Sequence, residues 1–320
     1  MMNVYDIGLL GILAIVFVAM CVICYSSLKK QCSASVERFW DGDDKSQFIP
    51  RIPRIIWTYW HEPQNIPPLI SKCMDTWREM NPSYEIVVLD VAKVRQLCGV
   101  DLGSMPNINM SMHARVADYC RLVVVAKYGG FWIDASMLCL EPLEWISQLQ
   151  QSTGCEMVGF FAPHTTNKDY PIPESWFFAA PPRSPFVTAW KNEALVMATD
   201  FVDDKAYMAH IIDETDTDIQ GLKESLPYLA IHLWATVVMQ RRASKYNVHM
   251  MDAMDGPFKY LHENGWKQGP ALKALCEKKE LQTGLIKLRG AERNYIEQHK
   301  GEIMCDKNKA HPFVHRLLTK

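Results

Sequence analysis

The hydrophobic pattern of the chain begins with Ile7 to Tyr25, nineteen residues without a charge and rich in Ile, Leu, Val, Phe, Ala and Met. At a helical rise of about 1.5 Å such a run spans roughly 28 Å, close to the hydrocarbon core of a bilayer. A cleaved leader would carry a basic n-region and a small-x-small site, and neither flanks this run. The pattern predicts a membrane anchor over residues 1–28. Gln31 to Gln47 is polar and acidic, with Asp41-Gly42-Asp43-Asp44 inside it, and reads as a stalk over 29–49. Residues 50–320 carry the globular pattern.

Ile55-Ile56-Trp57-Thr58-Tyr59-Trp60 is a β-branched and aromatic run bounded by prolines, the signature of a buried strand. Pro67 to Met80 places Ile70, Cys73, Met74 and Trp77 on one helical face, and Glu85 to Asp90 is a second strand. Ser111 to Lys127 is a third strong element, a helix packed on a sheet, and Gly129-Gly130 ends it. Phe131-Trp132-Ile133 follows as a central strand with Asp134 at its C-terminal end, where open α/β sheets bind ligands. Met157–Ala162 and Trp176–Ala180 read as further strands, Ser184–Thr199 and Leu226–Arg241 as helices, and Leu285–Leu288 as a last short strand. The fold class predicted is α/β, a Rossmann-type mixed sheet with flanking helices behind one N-terminal transmembrane helix.

Composition changes this picture little. At 48% hydrophobic, 22% charged and a formal net charge of -2, the chain offers no concentrated basic surface, so no nucleic acid is expected as a partner. It has no G-x-x-x-x-G-K-[ST] loop and no G-x-S-x-G elbow. The ten cysteines are scattered, and a reduced state is the simpler reading. Asp6 before the apolar run and Lys29, Lys30 and Arg38 after it place the globular part in the cytosol by the positive-inside rule; the sequon Asn109-Met110-Ser111 points the other way, to a lumen.

The chemistry-bearing residues cluster around the third helix. Asp118 and Arg121, three apart, share a helix face, with Arg115 one turn earlier. They suit a carboxylate that hydrogen-bonds sugar hydroxyls and an arginine that steadies the sugar or its phosphate. Asp134, followed two residues on by the hydroxyl of Ser136, could hold a hard divalent cation against a diphosphate leaving group. Asp213 to Asp218 lacks the glycine and the terminal glutamate of a calcium loop and reads as solvated; His232 with Trp234 reads as a packed helix face; His311 and His315 have no second motif beside them.

These pieces together resemble the capsular polysaccharide synthesis family of DXD-containing sugar transferases, whose relatives include yeast-type initiating mannosyltransferases and clostridial glucosylating toxins. The resemblance runs through Ile52–Trp57, Cys73–Trp77, Asn81-Pro82, Ala117-Asp118 with Arg121, Tyr128–Ser136 and Pro142-Leu143, then Glu174–Ala180 and Asp255-Gly256-Pro257. It implies a GT-A-like domain over 50–320, a UDP- or GDP-sugar donor, Mn2+ or Mg2+, a glycan or lipid-linked acceptor held at the membrane, and retention of anomeric configuration. By position Trp57 is similar to the aromatic that lies against the nucleotide base. Asp118, Arg121, Tyr128, Gly130 and Asp134 resemble the donor-sugar corner, and Glu174 is the carboxylate of a candidate catalytic loop. The metal would rest on Asp134 and Ser136, completed by His262 or Asn264. Ser136 stands where the family's second Asp would be. A catalytically inactive nucleotide- or glycan-binding relative is the alternative, and a phosphotransferase with Asp134 as nucleophile lacks the second carboxylate it needs.

Overall fold

A computed structural model of the chain describes residues 50–166, 170–219, 222, 228–242 and 246–319. The expected anchor and stalk lie outside the described residues. Among the described residues, no helix is long and apolar enough to cross a membrane.

Strands β1 (Ile55–Tyr59), β2 (Glu85–Leu89), β3 (Gly130–Ile133), β5 (Met157–Phe161), β6 (Phe177–Ala180) and β7 (Val248–Asp252) form one mixed sheet in the order β2-β1-β3-β6-β5-β7. The pairs β1/β2, β1/β3 and β5/β7 are parallel, whereas β6 runs antiparallel to both neighbours. The C-terminal ends of five strands therefore share one edge with the N-terminal end of β6. A separate two-stranded sheet pairs β4 (Met137–Cys139) with β8 (Leu285–Lys287), antiparallel, with Met137 opposite Lys287.

Successive residues of these strands enter opposite cores, as the period of two requires. Ile56, Phe131, Phe177 and Ala179 face one layer with Cys73, Met74 and Trp77 of α1 (Pro68–Met80). Behind them, α9 (Gln268–Cys276), α10 (Gly290–Gln298) and α11 (Pro312–Leu318) complete that layer. Trp57, Trp132, Phe178 and Ala180 face the other layer, filled by α3 (His113–Tyr128), α5 (Pro185–Asp200) and α7 (Ala230–Arg242). Both faces of the central strands are covered, which is why β1, β3, β5 and β6 read as unbroken apolar runs.

Helix α3 is buried from Arg115 to Ala126, enclosed by the sheet, by α5 and by α2 (Val91–Cys98). Arg115, Asp118 and Arg121 are thus interior groups, whereas Lys127 at the end of the helix is exposed. The other helices among the described residues are α4 (Glu144–Thr153), α6 (Asp204–Glu214), α8 (Lys259–His262) and a 3-10 turn at Leu102–Ser104. All seven described cysteines are free thiols (Cys73, Cys98, Cys120, Cys139, Cys155, Cys276 and Cys305).

Candidate active site

Two glycines set the corner that delivers Asp134. Gly129 and Gly130 both take positive φ, and a Cβ on Gly130 would stand 2.7 Å from the Ile55 carbonyl oxygen and 2.9 Å from Trp57 Nε1. Only glycine allows α3 to stop and β3 to start so close to β1. Strand β3 then runs to Asp134, whose backbone N–H donates to the Trp176 carbonyl at 2.9 Å. Asp134 thereby stands at the edge where the C-terminal ends of five strands meet, its side chain 26% exposed.

The carboxylate is gripped from three sides. Trp132 Nε1 donates to Oδ1 at 3.0 Å, Arg121 Nη2 lies 3.4 Å from the same oxygen, and Lys287 Nζ donates to Oδ2 at 2.6 Å. Burial raises its pKa, but the Lys287 and Arg121 cations outweigh burial and hold the carboxyl below the ordinary carboxylate range. Arg121, only 6% exposed, also pairs with Asp118 at 3.2 Å and donates Nη1 to the Ser175 carbonyl at 2.9 Å. Its guanidinium lies over the Trp132 ring, 5.0 Å from the centroid, and its Nε has no hydrogen-bond partner among the described residues. Asp118 is pushed above the ordinary range by burial, which Arg121 and Arg115 only partly offset. Arg115 pairs with Asp204 of α6 at 3.3 Å. The structure therefore brings Asp118, Arg121 and Asp134 together.

Lys287 was not singled out by sequence. Its position follows from the β4–β8 register, which sets it beside the turn between Asp134 and Met137. Leu288 N–H donates to the Ser136 carbonyl at 3.0 Å, and Ser136 Oγ returns a bond to the Leu288 carbonyl at 2.8 Å. Lys287 Nζ also reaches Ser136 Oγ at 3.3 Å. Burial lowers the pKa of this ammonium, against the pull of Asp134.

This arrangement does not fit the expected Mn2+ or Mg2+. A hard dication wants several oxygen ligands at about 2.0–2.6 Å. Here the one carboxylate is engaged by an ammonium, and the Ser136 hydroxyl is turned to a carbonyl. A dication about 3 Å from that ammonium would meet repulsion on the order of 10 kcal/mol at an effective dielectric of about 20. His262 is exposed at the end of α8, and Asn264 donates its side-chain N–H to the Tyr260 carbonyl at 2.8 Å; neither bonds to Asp134 or Ser136. Among the described residues, no three His, Cys, Asp or Glu side chains converge on a metal position.

Trp57 and Tyr128 are wall residues. Trp57 is 4% exposed and donates its indole N–H to the Gly129 carbonyl at 2.8 Å, which leaves no face for a base. Tyr128 packs on it at 5.8 Å and donates its hydroxyl to the Leu97 carbonyl. An accessible aromatic row lies nearby instead, past the C-terminal end of β1: Trp60 meets His61 at 5.8 Å, and His61 stacks on His113 at 3.9 Å, with both histidines exposed.

Glu174 is buried and fully engaged, taking bonds from Trp176 Nε1 at 2.7 Å and Thr165 Oγ1 at 3.1 Å. Burial raises its pKa, yet the neighbouring His232 and these donors outweigh burial and bring the carboxyl below its ordinary range. His232 Nε2 stands 3.5 Å from Glu174 Oε2, and its Nδ1 has no partner among the described residues. His232 therefore keeps its reading as part of a helix face packed in the core, 4% exposed, and in addition faces a carboxylate. In the tail, His311 caps α11 through Phe313 N–H, and His315 Nδ1 contacts the Cys305 carbonyl. A cleft of about 430 Å³ bounded by Glu141, Trp145, Asp252, Asp255 and Gly284 has neither Arg121, Asp134 nor Lys287 in its walls.

Residues 20–209 match the model of the family described as capsular polysaccharide synthesis protein. Comparison with curated proteins gives no match. Among solved structures, the PaToxG glycosyltransferase aligns with 60% of this chain and 79% of its own at 14% identity and a TM-score of 0.34. A glycosyltransferase involved in glycosylation of the major capsid of PBCV-1 aligns over 77% and 100% at 8% identity and a TM-score of 0.36. Mouse xyloside xylosyltransferase 1 aligns over 76% and 99% at 9% identity and a TM-score of 0.37.

Proposed function

The chain belongs to the capsular polysaccharide synthesis protein family, and from that premise we propose that it is a glycosyltransferase. It moves a sugar from a UDP- or GDP-sugar to a glycan or lipid-linked acceptor, with retention of anomeric configuration, from a membrane-anchored position. The observation that carries the reading is the Asp118–Arg121–Asp134 constellation at the ligand-binding edge of the sheet.

Each group has a task in that chemistry. Asp118 is a hydrogen-bond acceptor for donor-sugar hydroxyls, fixed by Arg121. Arg121 is pinned by Asp118, Asp134 and the Ser175 carbonyl, so little reorganisation is needed when charge develops beside it. Asp134 keeps the two cations in place. The exposed His61–His113 stack is a platform for the nucleotide base in place of the buried Trp57. During transfer the bond between the anomeric carbon and the phosphate oxygen breaks, and its electron pair leaves on the nucleoside diphosphate. The acceptor oxygen bonds to the anomeric carbon and its proton passes to water.

The test is a panel of UDP- and GDP-sugars given to the purified full chain with candidate glycan and lipid-linked acceptors, reading liberated nucleoside diphosphate. Release with at least one donor supports the reading. Nucleotide binding without release from any donor would favour the inactive, binding-only relative.

A further inference from the structure

We propose that the Lys287 ammonium is the chain's own cation for the donor's diphosphate, standing between Asp134 and Ser136 where a divalent metal would otherwise stand. The inference rests on the transferase reading above and names the group that receives the leaving phosphate.

Position is the first observation. Lys287 Nζ lies 2.6 Å from Asp134 Oδ2 and 3.3 Å from Ser136 Oγ, the two oxygens that a D-x-S metal motif would offer to its ion. The second is rigidity. Lys287 N–H donates to the Pro257 carbonyl at 3.2 Å, its carbonyl accepts from Tyr260 Oη at 2.7 Å, and its strand is paired with β4. The third is valence. An ammonium has three N–H donors; Asp134 and Ser136 engage two, and the third has no partner among the described residues. That third donor serves a phosphate oxygen arriving over the exposed side of Asp134. Arg121, on the other oxygen of the same carboxylate, supplies a second positive charge. Together they take the charge that the departing diphosphate gains as the anomeric C–O bond breaks, while the acceptor proton still passes to water.

The experiment measures binding of UDP and of GDP to the full chain in detergent by calorimetry, once in EDTA and once in Mn2+. It compares wild type, Lys287→Arg and Lys287→Met. Wild type is expected to bind its preferred nucleotide in EDTA within about threefold of its affinity in Mn2+. Lys287→Met should bind about tenfold to a hundredfold more weakly in both buffers, and Lys287→Arg should recover most of the loss. Wild-type binding that vanishes in EDTA and returns with Mn2+ would overturn the proposal, as would a Lys287→Met protein that binds as tightly as wild type. If Lys287→Met fails to fold, the wild-type comparison still decides. Absence of UDP and GDP binding in either buffer would sink the transferase reading itself, a different and distinguishable failure.

Discussion

At the scale of single residues, the site depends on groups whose places are fixed by very different distances along the chain. Gly130 illustrates local fixing: its φ of 100° and the 2.7 Å approach of the Ile55 carbonyl leave no room for a Cβ. Gly130→Ala should therefore lower stability by at least about 2 kcal/mol in urea denaturation; a variant within error of wild type would show that the α3–β3 corner can relax. Asp118, Arg121 and Asp134 were legible in sequence because one helix, one glycine turn and one short strand carry all three. Lys287 was not, since it lies 153 residues beyond the carboxylate it binds and reaches it only through strand pairing. Trp57 was misplaced for a related reason: an aromatic in a strand motif does not reveal which side of the sheet it enters, or that its N–H closes onto the Gly129 carbonyl.

At the scale of elements, the central strands were readable because both faces are covered and the apolar runs are continuous. Strand β7, Val-His-Met-Met-Asp, is only half-buried and gives no such run, and β4 is three residues long; neither stood out. The start of α5 carries a testable electrostatic feature. Glu156 accepts the Phe186 N–H at 3.1 Å, and burial lifts its carboxyl to about 7, with that bond only partly opposing the rise. An unfolded glutamate titrates near about 4.3, so between that pH and about 7 the folded state binds more protons. Stability must then fall as pH rises through this window. Glu156→Gln should flatten the decline in melting temperature between about pH 5 and pH 8; an unchanged profile would remove Glu156 as its source.

At the scale of the whole molecule, family membership and the charged corner converge on sugar transfer, and the expected anchor is what motivates the proposed membrane-bound acceptor. That anchor can be tested directly. The full chain should float with phospholipid vesicles in a density gradient, whereas a chain of residues 50–320 should stay at the bottom; co-flotation of the short form would place membrane binding in the globular part. The central claim, that Arg121 and its two carboxylates form a donor site that transfers sugar, is met most directly by the rate of nucleoside diphosphate release from a panel of nucleotide sugars, compared between wild type and Arg121→Ala. The account predicts acceptor-dependent release by wild type with at least one donor, and a loss of about a hundredfold or more in Arg121→Ala. Release that is undiminished in a folded Arg121→Ala protein, or no release by wild type from any donor, would contradict it.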